Sequence, residues 1–355
     1  MSSWGKIAIT GACSTIARSV ISLLDKDDRV KSILALDIRP YDGVPSAKIQ
    51  YQKVDVRDIE ALRHAFKEID AVVHLAFIVV TRVTHEPEIF AINIEGSKNV
   101  AQAAADSGVK RLVYTSSVAA YGFLPENPPL LTEDMPIRGE RNRNNYYPYT
   151  KAVVDKFMED YAETHPRLII TRFRSHLVTG PNIYRYTKNL MFVPDLTRSS
   201  KSYWGFRPEG VNGGRLQFTH EEDLAKAIQF ALHHPMPGAY NIAGEPMDLE
   251  RYLRENGKKF RRIPRRAVSG LISVLSPFSA RLRLARSWMI GARYRNIMDC
   301  SKLKRAGFAE RLRTSRECLQ EANAYFAQKR GQNSTEACLS GPGMEDSIKG
   351  GKDEK

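Results

Sequence analysis

The chain has 355 residues, 42% hydrophobic and 26% charged, which is ordinary for a globular enzyme of one or two domains. Its four cysteines (Cys13, Cys300, Cys318, Cys338) are scattered without a C-x-x-C pair. That argues against a disulfide framework or a metal site and fits a reducing, cytoplasmic setting. The net charge of +14 is not accompanied by a nucleic-acid motif, no run approaches the ~18 apolar residues of a membrane span, and MSSWGKIAIT does not read as a signal peptide.

Taken in chain order, apolar runs alternate with helical spacing. KIAIT reads as a strand and IARSVISLLDKD as a helix; KSILALD (31–37) is a strand ending in an acid. KIQYQKVDV (48–56) is a strand and DIEALRHAFKEI (58–69) a helix. AVVHLAF (71–77) is a strand, and 87–108 is a long helix stopped by Gly108. RLVYTSS (111–117) is a strand, 146–165 a helix and RLIITRF (167–173) a strand. This βα alternation predicts an α/β fold, a Rossmann-type doubly wound parallel sheet, with ligands at the carboxyl ends of its strands. Residues 1–175, completed by 216–245, form the dinucleotide-binding part in this reading. A smaller, mostly C-terminal cap, 176–215 and 246–328, faces the substrate. The last helix is placed at 315–330 and a disordered tail at 331–355. The basic and apolar stretch 258–295 reads as a solvated face, a grip on an anionic substrate, or a peripheral membrane contact.

Three motifs carry chemistry. TGACSTIA (10–17) joins a strand to a helix, where a tight glycine turn and free backbone N–H groups hold a pyrophosphate. Only Gly11 of the usual glycines is present; Ser14 and Ala17 stand at the other two positions. Asp37 closes the second strand, where a carboxylate accepts from the adenosine ribose and favours NAD; Arg18 and Arg39 nearby leave NADP open. Tyr147-Pro148-Tyr149-Thr150-Lys151 is a Y-x-x-x-K on a helix, which predicts an ammonium beside a phenol, lowering its pKa. Ser117 ends the strand before that helix and offers a hydroxyl to the reacting oxygen. A second such spacing, Tyr184 to Lys188, falls in an irregular stretch and is read as a coincidence.

Taken together these segments resemble the extended short-chain dehydrogenase/reductases, the NAD-dependent epimerase/dehydratase superfamily. The likeness continues through VDVRD (54–58), VVHLAF (72–77), NIEGSKNV (93–100), RSHLVTGP (174–181), LQFTHEEDLAKAI (216–228) and MDCSKLKRAGF (298–308). It implies an NAD site built from Gly11, Cys13, Ser14, Thr15, Ile16, Asp37, Asp55, Val56, Leu75, Ala76 and Asn93, together with Tyr147 and Lys151. It implies Tyr147 as acid/base, Lys151 as the residue holding the nicotinamide ribose, Ser117 as the substrate-positioning hydroxyl, and a homodimer. Ser14 in place of glycine predicts a narrowed pyrophosphate approach and weaker cofactor retention.

Within that superfamily the residues point toward a branch. Ser117 is followed by Val118-Ala119-Ala120, without the Asp–Glu pair of the 4,6-dehydratases. Two positions that bind diphosphate in nucleotide-sugar epimerases are Leu177 and Leu216, which donate no hydrogen bond. The remaining pattern is similar to the 3β-hydroxysteroid dehydrogenase-like reductases, with a lipophilic small-molecule substrate. His176 and Trp204 are the candidate pocket residues, with Phe192, Val193, Tyr203 and Phe206 as further apolar lining. The alternatives are a nucleotide-sugar epimerase and a non-catalytic NAD(P)-binding sensor.

Overall fold

The first strand shows why the sheet lies in the middle of the molecule. In the computed structural model β1 (Trp4–Thr10) sends Ile7 and Ile9 into one apolar cluster and Ala8 into another. A strand buried on both faces needs apolar residues at every position, and that is how Ile7-Ala8-Ile9 reads. The structure describes residues 4–79, 86–143, 145–186, 202–205, 215–262, 294 and 296–339.

The other strands of the main sheet are β2 (Val30–Asp37), β3 (Ile49–Lys53), β4 (Ala71–His74), β5 (Arg111–Ser117), β6 (Ile169–Ser175) and β11 (Gly238–Ile242). All pair in parallel, in the order β11-β6-β5-β4-β1-β2-β3. The order reverses between β1 and β4, so a crevice opens at the carboxyl ends of those two strands. Helices α1 (Thr15–Asp25) and α7 (Glu221–His233) pack on one face. Helices α2 (Ile59–Ala65), α4 (Gly96–Asp106) and α5 (Tyr146–Thr164) cover the other. The expected α/β Rossmann-type sheet is present.

Two strands are shorter than the sequence suggests: β3 ends at Lys53 and β4 at His74. The long helix expected at 87–108 is interrupted. A short α3 (Glu86–Phe90) passes into a π turn, Ala91–Glu95, before α4 begins. The last helix, Ser315–Leu339, runs beyond the expected stop at 330 into the polar tail. A single Gly331 lowers helix propensity without removing a hydrogen bond, so it does not end the helix.

Shorter strands flank the sheet: β7 (Leu177–Thr179) pairs with β10 (Phe218–His220), β8 (Ser202–Gly205) with β13 (Lys259–Arg262), and β9 (Arg215–Leu216) with β12 (Met247–Asp248). A late segment is stitched to the sheet by buried amides. Asn241 on β11 donates to the Leu131 and Asp299 carbonyls at 3.1 and 3.0 Å and accepts from the Tyr121 hydroxyl at 2.8 Å. Gln217 donates to the Gly244 and Met298 carbonyls at 3.0 and 3.1 Å and accepts from the Met298 N–H at 2.8 Å. Most of the basic stretch, 263–293, lies outside the described residues. Among the described residues no helix is long and apolar enough to cross a membrane.

Candidate active site

The phosphate loop follows β1. Gly11 has φ of 71°, and a Cβ there would lie 2.5 Å from the Ala76 backbone nitrogen. Only glycine lets the loop press this closely on the strip after β4. Ser14 is the N-cap of α1: its hydroxyl accepts from the Ala17 N–H at 3.4 Å. The substitution that breaks the glycine pattern is therefore a helix-capping one. Thr15 and Ile16 form the first turn of the helix, which carries no acid there. Asp37, buried at the end of β2, accepts from the N–H groups of Cys13 at 2.9 Å and Arg39 at 3.0 Å. The Arg39 guanidinium returns to the Cys13 carbonyl at 2.8 Å, which fixes the loop from both sides. These residues fit a dinucleotide: a glycine cradle, a helix N-terminus and a carboxylate beside it.

Asp55 and Val56 lie in the turn between β3 and α2. Asp55 is held by a hydrogen-bonded ion pair with Arg57 at 2.6 Å, which keeps its carboxyl below the usual range. Val56 is buried against Gly96, where a Cβ would stand 2.5 Å from the Val56 methyl.

The strip after β4 is fixed at both ends. The Leu75 N–H donates to the Thr10 carbonyl at 3.0 Å. Asn93, fully buried in the π turn, accepts from the Ile78 N–H at 2.7 Å and donates to the Ile78 carbonyl at 3.0 Å. Its position is a structural clamp on residues 75–78. His74, which sequence reasoning passed over, links Thr10 at 2.7 Å to Ser97 at 2.9 Å. Burial and the nearby Lys151 charge push its pKa down to about 3, so it is neutral.

Ser117 and Tyr147 meet at the end of β5, and Lys151 lies one helical turn along α5 from Tyr147. Burial raises the Tyr147 phenol above its ordinary pKa, and a hydrogen bond with Ser117 opposes this. The phenol thus stands above its ordinary value, where the Y-x-x-x-K spacing predicts one below it. Lys151 donates to the Thr115 carbonyl at 2.7 Å and the Tyr114 hydroxyl at 3.3 Å. Its ammonium also lies 3.5 Å from the centre of the Phe77 ring. Burial pushes it down to about 7, with the Asp155 charge acting the other way. The Phe77 ring meets Tyr147 edge-on at 6.3 Å. Phe77 was quoted within a strand motif but not singled out; its place next to a lysine distant in sequence exists only in the fold.

Of the two candidate pocket residues, His176 stands just past β6, where Ser175 pairs with Ser117 across the sheet. Its Nδ1 accepts from the Leu177 N–H at 2.8 Å, so the ring's proton is on Nε2. Burial lowers its pKa to about 4, opposed by hydrogen bonding with Asn296. Trp204 lies in β8, and its side chain is outside the described part, as are Phe192, Val193 and Phe206. Leu177 and Leu216 are both half-buried. Tyr184 of the second Y-x-x-x-K is in a short helix, α6 (Pro181–Tyr186), not a loop. It is buried against Tyr325 and Phe326, and Lys188 is outside the described residues.

The chain is 34% identical over 148 residues to UDP-glucose 4-epimerase 2 of Oryza sativa subsp. japonica, covering 40% of this chain and 35% of that protein. It is 30% identical over 213 residues to cinnamoyl-CoA reductase 1 of Petunia hybrida, covering 56% and 62%. A third relative, the 3 beta-hydroxysteroid dehydrogenase/Delta 5-->4-isomerase of monkeypox virus, is 30% identical over 119 residues, covering 32% and 34%. The chain thus spans less than two thirds of the length of each of these relatives. A structure of MoeE5 in complex with UDP-glucuronic acid and NAD shares the fold, with a TM-score of 0.65 at 19% identity, covering 92% of this chain and 100% of that one. A family model, NAD dependent epimerase/dehydratase family, matches residues 7–243, and the chain belongs to that family of NAD-dependent enzymes.

Proposed function

We propose that this protein is a dehydrogenase or reductase of the extended short-chain type that interconverts a secondary alcohol and a ketone on a lipophilic small molecule. The observation that carries the reading is the cluster at the end of β5: a Tyr147 phenol with Ser117 as its hydrogen-bond partner, and Lys151 one helical turn further along α5. Bound NAD supplies the acceptor or donor of the hydride. Tyr147, held protonated by burial, gives its proton to the carbonyl oxygen during reduction and takes it back during oxidation. Ser117 orients that oxygen, and Lys151 holds the ribose. His176 and Trp204 border the substrate, in the cap formed by 176–215 and 246–328. Leu177 and Leu216 favour this reading over a nucleotide-sugar epimerase, because neither side chain donates to a diphosphate. The relatives include both kinds of enzyme. We place the enzyme in the cytoplasm as a homodimer, with 258–295 available for a membrane surface.

A panel of lipophilic ketones assayed with NADH, beside an epimerisation assay on UDP-sugars, tests the class. Tyr147→Phe is expected to lower turnover by about 100-fold or more while NAD affinity holds. Full turnover in that variant would remove Tyr147 from the chemistry, and epimerisation without ketone reduction would replace the dehydrogenase reading.

A further inference from the structure

We propose that the Phe77 ring competes with the nicotinamide ribose for Lys151, and so makes the cofactor exchangeable at each turnover. This rests on Lys151 being the ribose-holding residue of the proposed reaction. A lysine ammonium has three N–H donors. Two of them are accounted for by the Thr115 carbonyl and the Tyr114 hydroxyl. The Phe77 ring covers the ammonium with its centre 3.5 Å from Nζ, a cation–π contact on the side that remains. A ribose hydroxyl accepting from Lys151 needs that same direction, so ring and ribose exclude one another. The ring also stands edge-on to Tyr147 at 6.3 Å, and thus touches both side chains that must face cofactor and substrate together.

The backbone does not provide the opening movement. Leu75 is bonded to Thr10, Ala76 is pressed on Gly11, and Ile78 is bonded twice to Asn93. What remains is rotation of the Phe77 side chain, which is only half-buried. Each binding event then exchanges a ring contact for a ribose contact, and the net affinity is lower by the contact given up. A dehydrogenase, which must release its nucleotide every cycle, gains from this; an epimerase, which keeps it, does not.

Calorimetric titration with NAD tests this on the wild type, Phe77→Ala and Lys151→Met, together with the nucleotide content of each freshly purified protein. Phe77→Ala is expected to bind NAD about tenfold tighter and to carry nucleotide through purification, whereas the wild type carries little. Lys151→Met is expected to bind more weakly. Unchanged or weaker binding by Phe77→Ala, with Lys151→Met weakened, overturns the proposal and leaves the role of Lys151 standing. Unchanged binding by Lys151→Met overturns both. Should Phe77→Ala not fold, Phe77→Leu keeps the apolar bulk without the ring face. It is expected to tighten NAD binding about threefold, and no tightening overturns the proposal.

Discussion

Lys151 and Arg174 are two buried cations with opposite surroundings. Each is almost wholly removed from water, at 3% and 1% exposure. Arg174 has its charge answered. It donates to Asp155 at 3.1 and 2.9 Å, to the Tyr121 hydroxyl at 3.0 Å and to the Glu133 carbonyl at 3.2 Å. Burial works against its charge, but Asp155 and the Tyr121 hydroxyl together hold the guanidinium above its ordinary pKa. Lys151, one helical turn from Asp155, is bonded to two neutral oxygens and an aromatic face. Its pKa falls to about 7. Asp155 is drawn instead to Arg174, Arg172 and the Ser116 hydroxyl. The difference separates two uses of a buried charge. Arg174 fastens α5 to β6 and is complete as it stands. Lys151 is left short of a counter-charge, the condition in which a side chain retains binding energy for a ligand.

The largest effect comes from removing the shared carboxylate. Asp155→Ala leaves Arg174 buried without its counter-ion, and a loss of ~3–5 kcal/mol is expected in urea unfolding. A loss below ~1 kcal/mol would mean that the Arg174 site is not the fastening described. Lys151→Met should separate function from fold. Turnover is expected to fall by ~100-fold or more, while stability at neutral pH stays the same or rises, because an apolar side chain replaces a desolvated ammonium. A variant that unfolds as readily as Asp155→Ala would erase the distinction.

The same variant exposes the titration. Below pH 7 Lys151 is charged in both folded and unfolded chains, and its burial cost is fully present. Between about 7 and the ordinary lysine value of 10.5 the unfolded chain holds the proton and the folded one does not. Stability therefore rises with pH across that window, by at most ~1.4 kcal/mol per unit. The wild type should gain on Lys151→Met as pH is raised from 7 toward 10, and parallel pH profiles would contradict the depressed pKa. The smallest change is Tyr114→Phe. It removes one of the two oxygens facing Lys151, with an expected loss of ~1 kcal/mol in stability and a several-fold change in NAD affinity. No change in either would leave Thr115 as the only oxygen that matters.

Much of this was legible in the sequence, and the boundary is physical. Alternating apolar runs dictate the parallel sheet, because a strand buried on both faces has little choice of residue. The phosphate loop and the Tyr147–Lys151 pair were visible because their parts are close in sequence. The i, i+4 rule placed Lys151 on the same helix face as Tyr147. It could not give the lysine's direction, which is set by the Thr115 carbonyl on a neighbouring strand. The Asp155–Arg174 pair was hidden for the same reason, as its members lie on a helix and a strand that meet only in the fold. Phe77 was quoted as one residue of an apolar strand, yet it lies past the last hydrogen-bonded position of β4. The π turn around Asn93 left no periodic signal, since it changes the spacing by a single residue.

The amides of Asn241 and Gln217 have a consequence for how the chain is made. Both side chains are fully bonded only when the Met298 and Asp299 backbone is in place. On the ribosome, β11 emerges some sixty residues before these partners do. Throughout that interval each amide lacks one of its two acceptors, and Gln217 also lacks the Met298 N–H, at a cost that a finished protein does not bear. The sheet's last strand therefore locks after synthesis of the segment beyond it, and chains released short of residue 299 should be preferred targets for chaperones and proteases.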